Sequence, residues 1–215
     1  MKKDRFIVTI DGPAGSGKST ISKLIAERDG FLHIDTGALY RAIGYLTDGH
    51  PTKNDLNNIH FNIRINNKIE IFYNGENIEK FIRNEECGML ASNVAKIDYV
   101  RDFVNKTARK IASVGKYIID GRDCGSVIFP YADLKIFLDA DLKERAKRRA
   151  FEDKRSVEEI EKEIEKRDKQ DKSRNIAPLI KSDDAVVIDT TNLTIEDVYS
   201  KIKEMIKERY EHKDS

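Results

Sequence analysis

The 215-residue chain has little cysteine, no long apolar run and almost no net charge. Its two cysteines, Cys87 and Cys124, do not make a disulfide framework, which fits a reducing compartment. No apolar stretch approaches the roughly 18 residues that a membrane-spanning helix needs. Met1-Lys-Lys-Asp-Arg5 leads straight into a candidate strand, with no signal-peptide core between them. The expectation is a soluble cytoplasmic protein without a membrane partner. Lys and Arg number 39 against 38 Asp and Glu, a net charge of +1, which argues against wholesale nucleic-acid binding. Affinity for phosphate must therefore come from local arginine clusters. His33, His50, His60 and His212 show no metal-ligand spacing, and no repeat or low-complexity tract is present. The length suits one domain with a real core and room for an inserted lobe.

What is present is organised around Gly12-Pro13-Ala14-Gly15-Ser16-Gly17-Lys18-Ser19-Thr20, which fits G-x-x-x-x-G-K-[ST] at every required position. Arg5–Ile10 before it is a short apolar, β-branched run, and Ile21–Ala26 after it has helical apolar spacing. Strand, glycine loop and helix together make an anion cradle of backbone N–H groups at a helix N-terminus. Lys18 adds a cation at the β- and γ-phosphates, and the Ser19 hydroxyl is placed for Mg²⁺. The motif points to a nucleoside triphosphate and leaves the acceptor open.

Further along, Phe31–Asp35, Lys116–Asp120, Leu134–Leu138 and Asp184–Ile188 read as four more buried strands alternating with helices. Helices are expected over Ala38–Leu46, over Glu85–Ala112 as two pieces joined near Asp98, over Asp141–Phe151, from Ser156, and over Thr194–Tyr210. Ser156 with Glu159 and Thr194 with Asp197 read as capping boxes, and Thr52 or Asn54 as a further cap. Phe61, Ile63 and Ile65, then Ile69, Ile71 and Tyr73, alternate with polar residues around Asn66-Asn67 and the hairpin signal Asn74-Gly75. The expected fold is α/β: a five-stranded parallel sheet flanked by helices, with a small inserted antiparallel lobe and a short lid. In one P-loop domain this places the core at 1–36, 113–150 and 170–215, an acceptor-binding region at about 37–112, and the lid at about 151–169. Chemistry-bearing residues fall at the strand ends, after Ile10 and at Asp35, Asp120 and Asp189.

A monophosphate acceptor needs a second anion site, for which Arg41, Arg122, Arg167 and Arg174 are candidates. Arg167, Asp171 and Arg174 lie on one helical face at i, i+4 and i+7. At this point the chain resembles the bacterial cytidylate kinases, within the nucleoside-monophosphate kinases, nearly end to end. The likeness is carried by Ile10–Ser19, Ile34-Asp-Thr-Gly-Ala-Leu-Tyr-Arg41, Ile119-Asp-Gly-Arg-Asp-Cys-Gly125, Lys135–Ala140, Lys166 through Arg174, and Ala177-Pro178-Leu179. The inserted antiparallel lobe is itself a feature of that family.

The resemblance implies transfer of the ATP γ-phosphoryl group to CMP and dCMP. By it, Arg41, Arg122 and Arg167 grip the CMP phosphate, and Lys18 lies between donor and acceptor. Asp171 takes the ribose hydroxyls with Arg174 close by, and Ser92, Arg101 and Asp123 read the base. Thr36 and Asp120 complete the CMP set. Cytosine presents a donor at N4 and acceptors at N3 and O2, so a carboxylate and two donors suit it. Arg145 and Arg149 share a face of a basic helix and are candidates to clamp ATP. Asp120 either orders a magnesium water or anchors Arg122, and Asp189-Thr190-Thr191 borders the adenine. The stretch between Arg149 and Arg167 is shorter than in many relatives, so a compact lid is expected. No step needs a second chain, so a monomer is expected.

Two decoys are set aside. Asn67-Lys-Ile-Glu70 is one residue from a guanine-reading motif but falls at an expected hairpin turn. Asp35-Thr36-Gly37 matches the aspartic-protease triplet, yet has no second copy and feeds a helix. The rival functions are a kinase for another small acceptor (AMP, UMP or shikimate) and a regulatory ATP switch without turnover.

Overall fold

The computed structural model describes residues 5–59 and 70–214. Strands β1 (Arg5–Asp11), β2 (Leu32–Asp35), β5 (Gly115–Gly121), β6 (Leu134–Asp139) and β7 (Val186–Asp189) form one sheet in the order β2-β5-β1-β6-β7. Every pairing in it is parallel. All five expected strands are there, with the last starting two residues later than its apolar run.

Alternation along β1 builds the layers. Phe6, Val8 and Ile10 face a core shared with α1 (Lys18–Asp29) and α8 (Ile195–Asp214). Ile7 faces the opposite core, which it shares with Ala108 of α5 (Asp98–Ile111), Ala112 just after it, and Ile128 and Phe129. The middle strands are buried on both faces, which explains why they read as largely apolar runs and not as polar–apolar alternation.

A second core lies beside the sheet. It joins α2 (Thr36–Leu46), α3 (Lys53–Asn58), α4 (Glu85–Val94) and the start of α5 through Leu39, Ile43, Leu56, Val94 and Val100. Ile71 and Ile78 pack here too, flanking the hairpin β3 (Phe72–Tyr73) and β4 (Glu76–Asn77). That hairpin turns at Asn74 and Gly75, both at positive φ (49° and 85°), as the dipeptide requires. The expected strands through Phe61, Ile63, Ile65 and Ile69, with their Asn66-Asn67 turn, lie outside the described residues, as does most of the Asn67–Glu70 decoy.

The basic helix α6 (Leu142–Asp153) turns back at Lys154, which holds φ 54°, into α7 (Val157–Lys172). The two pack through Ala146, Ala150, Ile160 and Ile164, with Ala14 of the glycine loop in the same cluster. Ser156 caps α7 by accepting from Glu159 N, and Thr194 and Asp197 exchange both bonds of a capping box before α8. Thr52 and Asp55 do the same at α3. Helix α2 starts two residues before its apolar pattern because Asp35 caps it through Ala38 N. One element has no sequence signal: a π-helical turn over Cys124–Ile128, in which Phe129 N donates to Cys124 O at 2.7 Å.

Candidate active site

The register of the sheet brings the strand ends together. Asp120 lies opposite both Ile10 and Asp35, so the glycine loop, α2 and the Gly121–Asp123 segment leave the sheet side by side. They open into a cleft of about 720 Å³, closed on its other sides by α4, α6, α7 and the Thr190–Val198 segment.

The loop has the backbone that its glycines allow. Gly12, Gly15 and Gly17 sit at φ 151°, 76° and 89°. A Cβ on Gly12 would lie 2.0 Å from the Leu138 carbonyl oxygen, so only glycine fits there. Lys18 folds back over the loop, and its Nζ donates to Pro13 O at 2.5 Å and to Ser16 Oγ at 3.3 Å. Burial and the neighbouring Arg122 hold its pKa well below the ordinary lysine value. Ser19 Oγ donates to Asp120 Oδ2 at 2.7 Å, and His33 contacts the other oxygen of that carboxylate. Thr36 Oγ1 donates to Asp120 O at 2.9 Å.

Two residues that sequence reasoning missed or placed elsewhere hold the loop in shape. Asp168 accepts Ala14 N at 3.2 Å on one oxygen and Arg145 at 2.7 Å on the other. Arg145 also donates to Ala14 O at 2.8 Å and Ala140 O at 2.9 Å. Arg145 is therefore committed to the loop and does not line the cleft, whereas Arg149 lines it and pairs with Asp153 at 3.1 Å. Arg148, also unforeseen, reaches Thr190 O at 2.6 Å and Thr191 O at 3.3 Å, tying α6 to the Asp189–Thr191 loop. Neither Asp168 nor Arg148 carries a spacing signal, since each is one charge in a run of charges.

On the acceptor side the named arginines converge. Arg122 Nε donates to Asp171 Oδ2 at 2.8 Å, and Arg174 contacts the other oxygen. Burial pushes the Asp171 pKa up, but Arg122 and Arg174 outweigh it and leave it below the usual value. Arg41 donates to Asp35 Oδ2 at 2.8 Å. Arg167 has no ion pair among the described residues, and its pKa is lowered to about 10 by burial and the facing Arg122.

Arg41 Nε, Arg167 Nε, Arg174 Nε and the Tyr40 hydroxyl are buried without a hydrogen-bond partner, and all four residues line the cleft. Ser92 and Asp123 line the same cavity. Arg101, 3% exposed, reaches Asp123 from behind, where it also donates to Ala95 O at 3.3 Å. Burial raises the Asp123 pKa despite the Arg101 contact.

The family model for cytidylate kinase matches residues 8–208. The chain belongs to the cytidylate kinase family. The cytidylate kinase of Thermotoga maritima is 41% identical, with 95% of this chain and 98% of that one covered. That of Geobacillus sp. strain WCH70 is 41% identical over 96% and 99%. Among solved structures, a Thermus thermophilus protein has a TM-score of 0.53 at 17% identity, covering 95% of this chain and 98% of that one. A gluconokinase from Sinorhizobium meliloti has a TM-score of 0.52 at 13% identity, covering 99% and 97%. At these identities the structural likeness shows the fold alone. Family membership sets the chemistry of the chain as phosphoryl transfer of the cytidylate kinase type.

Proposed function

We propose that the cleft carries out the reaction of the family, ATP-dependent phosphorylation of CMP to CDP, and of dCMP to dCDP, with the residues in the following roles. The observation that carries the residue assignment is the set of four buried, unpartnered donors on Tyr40, Arg41, Arg167 and Arg174 around one cavity. Buried donors without partners are costly, and a phosphate monoester with a ribose supplies acceptors for them.

Residues Gly12–Thr20 cradle the triphosphate, with Arg149 on its far side and the Thr190–Thr191 loop at the adenine. Arg145 acts through the loop as a positioning residue. Arg41, Arg122 and Arg167 take the CMP phosphate, Asp171 and Arg174 the ribose, and Thr36 lies at the junction. A polyanion in the cradle favours the Lys18 charge that burial and Arg122 disfavour. The acceptor phosphate is mostly dianionic at pH 7, its second pKa being near 6, so no strong general base is needed. Catalysis is then alignment and charge neutralisation.

Ser19 and Asp120 fit Mg²⁺. Among the described residues no cluster of three His, Cys, Asp or Glu could hold a metal alone. One hydroxyl and one carboxylate, completed by phosphate oxygens and water, is the oxygen set that Mg²⁺ takes in such enzymes. Ser19 would touch the ion and Asp120 would reach it through water; the bound ion offsets charge on the β- and γ-phosphates.

Asp123 accepts from cytosine N4 and Ser92 donates to the ring acceptors, while Arg101, which reaches Asp123 from behind, acts through that carboxylate as a positioning residue. Uracil reverses N3 and position 4 and leaves these buried groups unpaired, which disfavours UMP strongly. The α6–α7 hairpin and the region at 37–112 act as lid and acceptor lobe about the core. We further infer that the chain acts in the cytoplasm as a monomer and on nucleotides, not nucleic acid. Its two cysteines are buried and free, and every residue used here comes from one chain. Among the described residues no helix is long and apolar enough to cross a membrane.

The test is ADP release from Mg-ATP with CMP, dCMP, UMP, AMP, GMP and shikimate, with product identification. Strong turnover of CMP and dCMP and weak turnover of UMP supports these roles. Equal CMP and UMP rates would remove the base readout, and no acceptor-dependent turnover would leave an ATP switch.

A further inference from the structure

Asp35 carries two guanidinium groups on one oxygen. Arg41 Nη2 lies 2.8 Å from Asp35 Oδ2, and Arg83 Nη1 lies 2.9 Å from the same atom. The other oxygen caps α2 through Ala38 N at 2.9 Å. The carboxylate is 11% exposed, and Arg83 is 36% exposed and lines the cleft. Arg83 arrives on the segment that follows the hairpin, where it also lies 3.8 Å from Glu79. Burial alone would raise the Asp35 pKa, but Arg41 and Arg83 together overcome it and hold it well below the usual carboxylate range. Gly37 packs against this pair, since a Cβ there would meet Asp35 Oδ1 at 3.1 Å and Arg41 Nη1 at 3.2 Å. The Asp35 carboxylate therefore holds two guanidinium groups in a fixed place, with the Glu79 carboxylate on the outer side of Arg83.

We propose that Arg83 is a positioning residue for the acceptor: it serves as the standing counter-ion of Asp35, so that Arg41 is released to the acceptor phosphate. The inference rests on the reading of Arg41 as a phosphate ligand. A phosphate dianion that takes Arg41 pulls it away from a buried carboxylate. Without Arg83 that carboxylate would be left unpaired beside a second anion, a costly arrangement, or would keep Arg41 for itself. With Arg83 in place the exchange leaves each anion with a cation. The residue works through Asp35 and does not itself need to touch CMP.

The experiment is steady-state kinetics on R83Q, R83K, D35N and R83Q/D35N, with R41Q as a control and thermal melts of each. Losing a charge-assisted contact of this kind predicts that R83Q raises KM for CMP roughly tenfold while kcat and KM for ATP change little. R83K, which keeps the charge, stays within about threefold of the parent. The decisive variant is the double one. Asn caps a helix as well as Asp does, so D35N keeps α2 while removing the charge that Arg83 offsets. KM for CMP in R83Q/D35N then returns to within about threefold of D35N alone. A double variant as impaired as R83Q, with unchanged melting, would overturn the proposal and make Arg83 a strut of the lobe. If R41Q leaves KM for CMP unchanged, the reading of Arg41 itself fails, which is a separate result. If R83Q unfolds, R83M and R83M/D35N carry the same test: KM for CMP in the double variant within about threefold of D35N supports charge pairing, and KM as high as in R83M refutes it.

Discussion

Replacing Asp168 with Ala tests whether the phosphate loop is held from beneath. The Asp168–Arg145 pair is 2.7 Å long, with side chains 10% and 7% exposed, so its removal strands a guanidinium in a nearly dry site. Breaking one side of a buried pair typically costs about 3–5 kcal/mol. For a chain of this size each kcal/mol moves the melting point by about 2–4 °C, so D168A should melt roughly 6–20 °C below the parent. The same change removes the acceptor for Ala14 N and loosens the backbone that must meet the triphosphate. KM for ATP should therefore rise severalfold or more, while KM for CMP moves much less. Replacing both partners with apolar residues, as in R145M/D168L, removes the stranded charge and should recover most of the stability. It should not recover ATP affinity, because neither new side chain can bond Ala14. A D168A melting point within about 2 °C of the parent, or parallel recovery of melting and ATP affinity in the double variant, would refute the bracing argument.

Asp11, 5% exposed, has its pKa raised to about 6, chiefly by burial, although Cys124 N and Gly125 N donate to it at 2.8 and 2.7 Å. Its folded pKa lies above the unfolded value, so the folded state holds that proton longer, and stability falls as pH rises from about 4 to about 6. Two units amount to about 3 kcal/mol, so denaturant melts should show the parent losing about that much relative to D11N across this range. A pH-independent difference would contradict it. Arg122→Ala should abolish CMP-dependent ADP release while calorimetry still finds ATP binding; intact turnover would remove Arg122 from the acceptor site. Asp123→Asn should bring the CMP and UMP values of kcat/KM within about tenfold of each other, measured with both acceptors. Small-angle scattering should report compaction only when both nucleotides are bound, because closure must exclude water from the phosphoryl group.

The parts of this molecule that could be read in advance are those in which one residue type has one physical use. The Gly12–Ser19 loop is legible because positive φ, close carbonyl approach and an anion cradle all select glycine. The middle strands are legible because a parallel sheet buried on both faces demands largely apolar runs. The caps at Thr52, Ser156 and Thr194 are legible because a short side chain must answer a free N–H.

What could not be read is how charge is shared. More than a third of the chain is charged, and sequence spacing cannot say which arginine faces a ligand and which a carboxylate. Arg145 and Arg149 lie one turn apart on the same helix, yet the first is consumed by Asp168, Ala14 and Ala140 while the second reaches the cleft. Asp35 read as a strand end and a motif letter, and only three dimensions show two guanidinium groups on one of its oxygens. The same holds at Asp171, which carries Arg122 and Arg174. Both carboxylates hold arginines of the acceptor side in place before any acceptor arrives. A phosphate entering this cleft thus exchanges partners with anions already present, and its affinity is set by what those carboxylates keep after the exchange as much as by the arginines it gains.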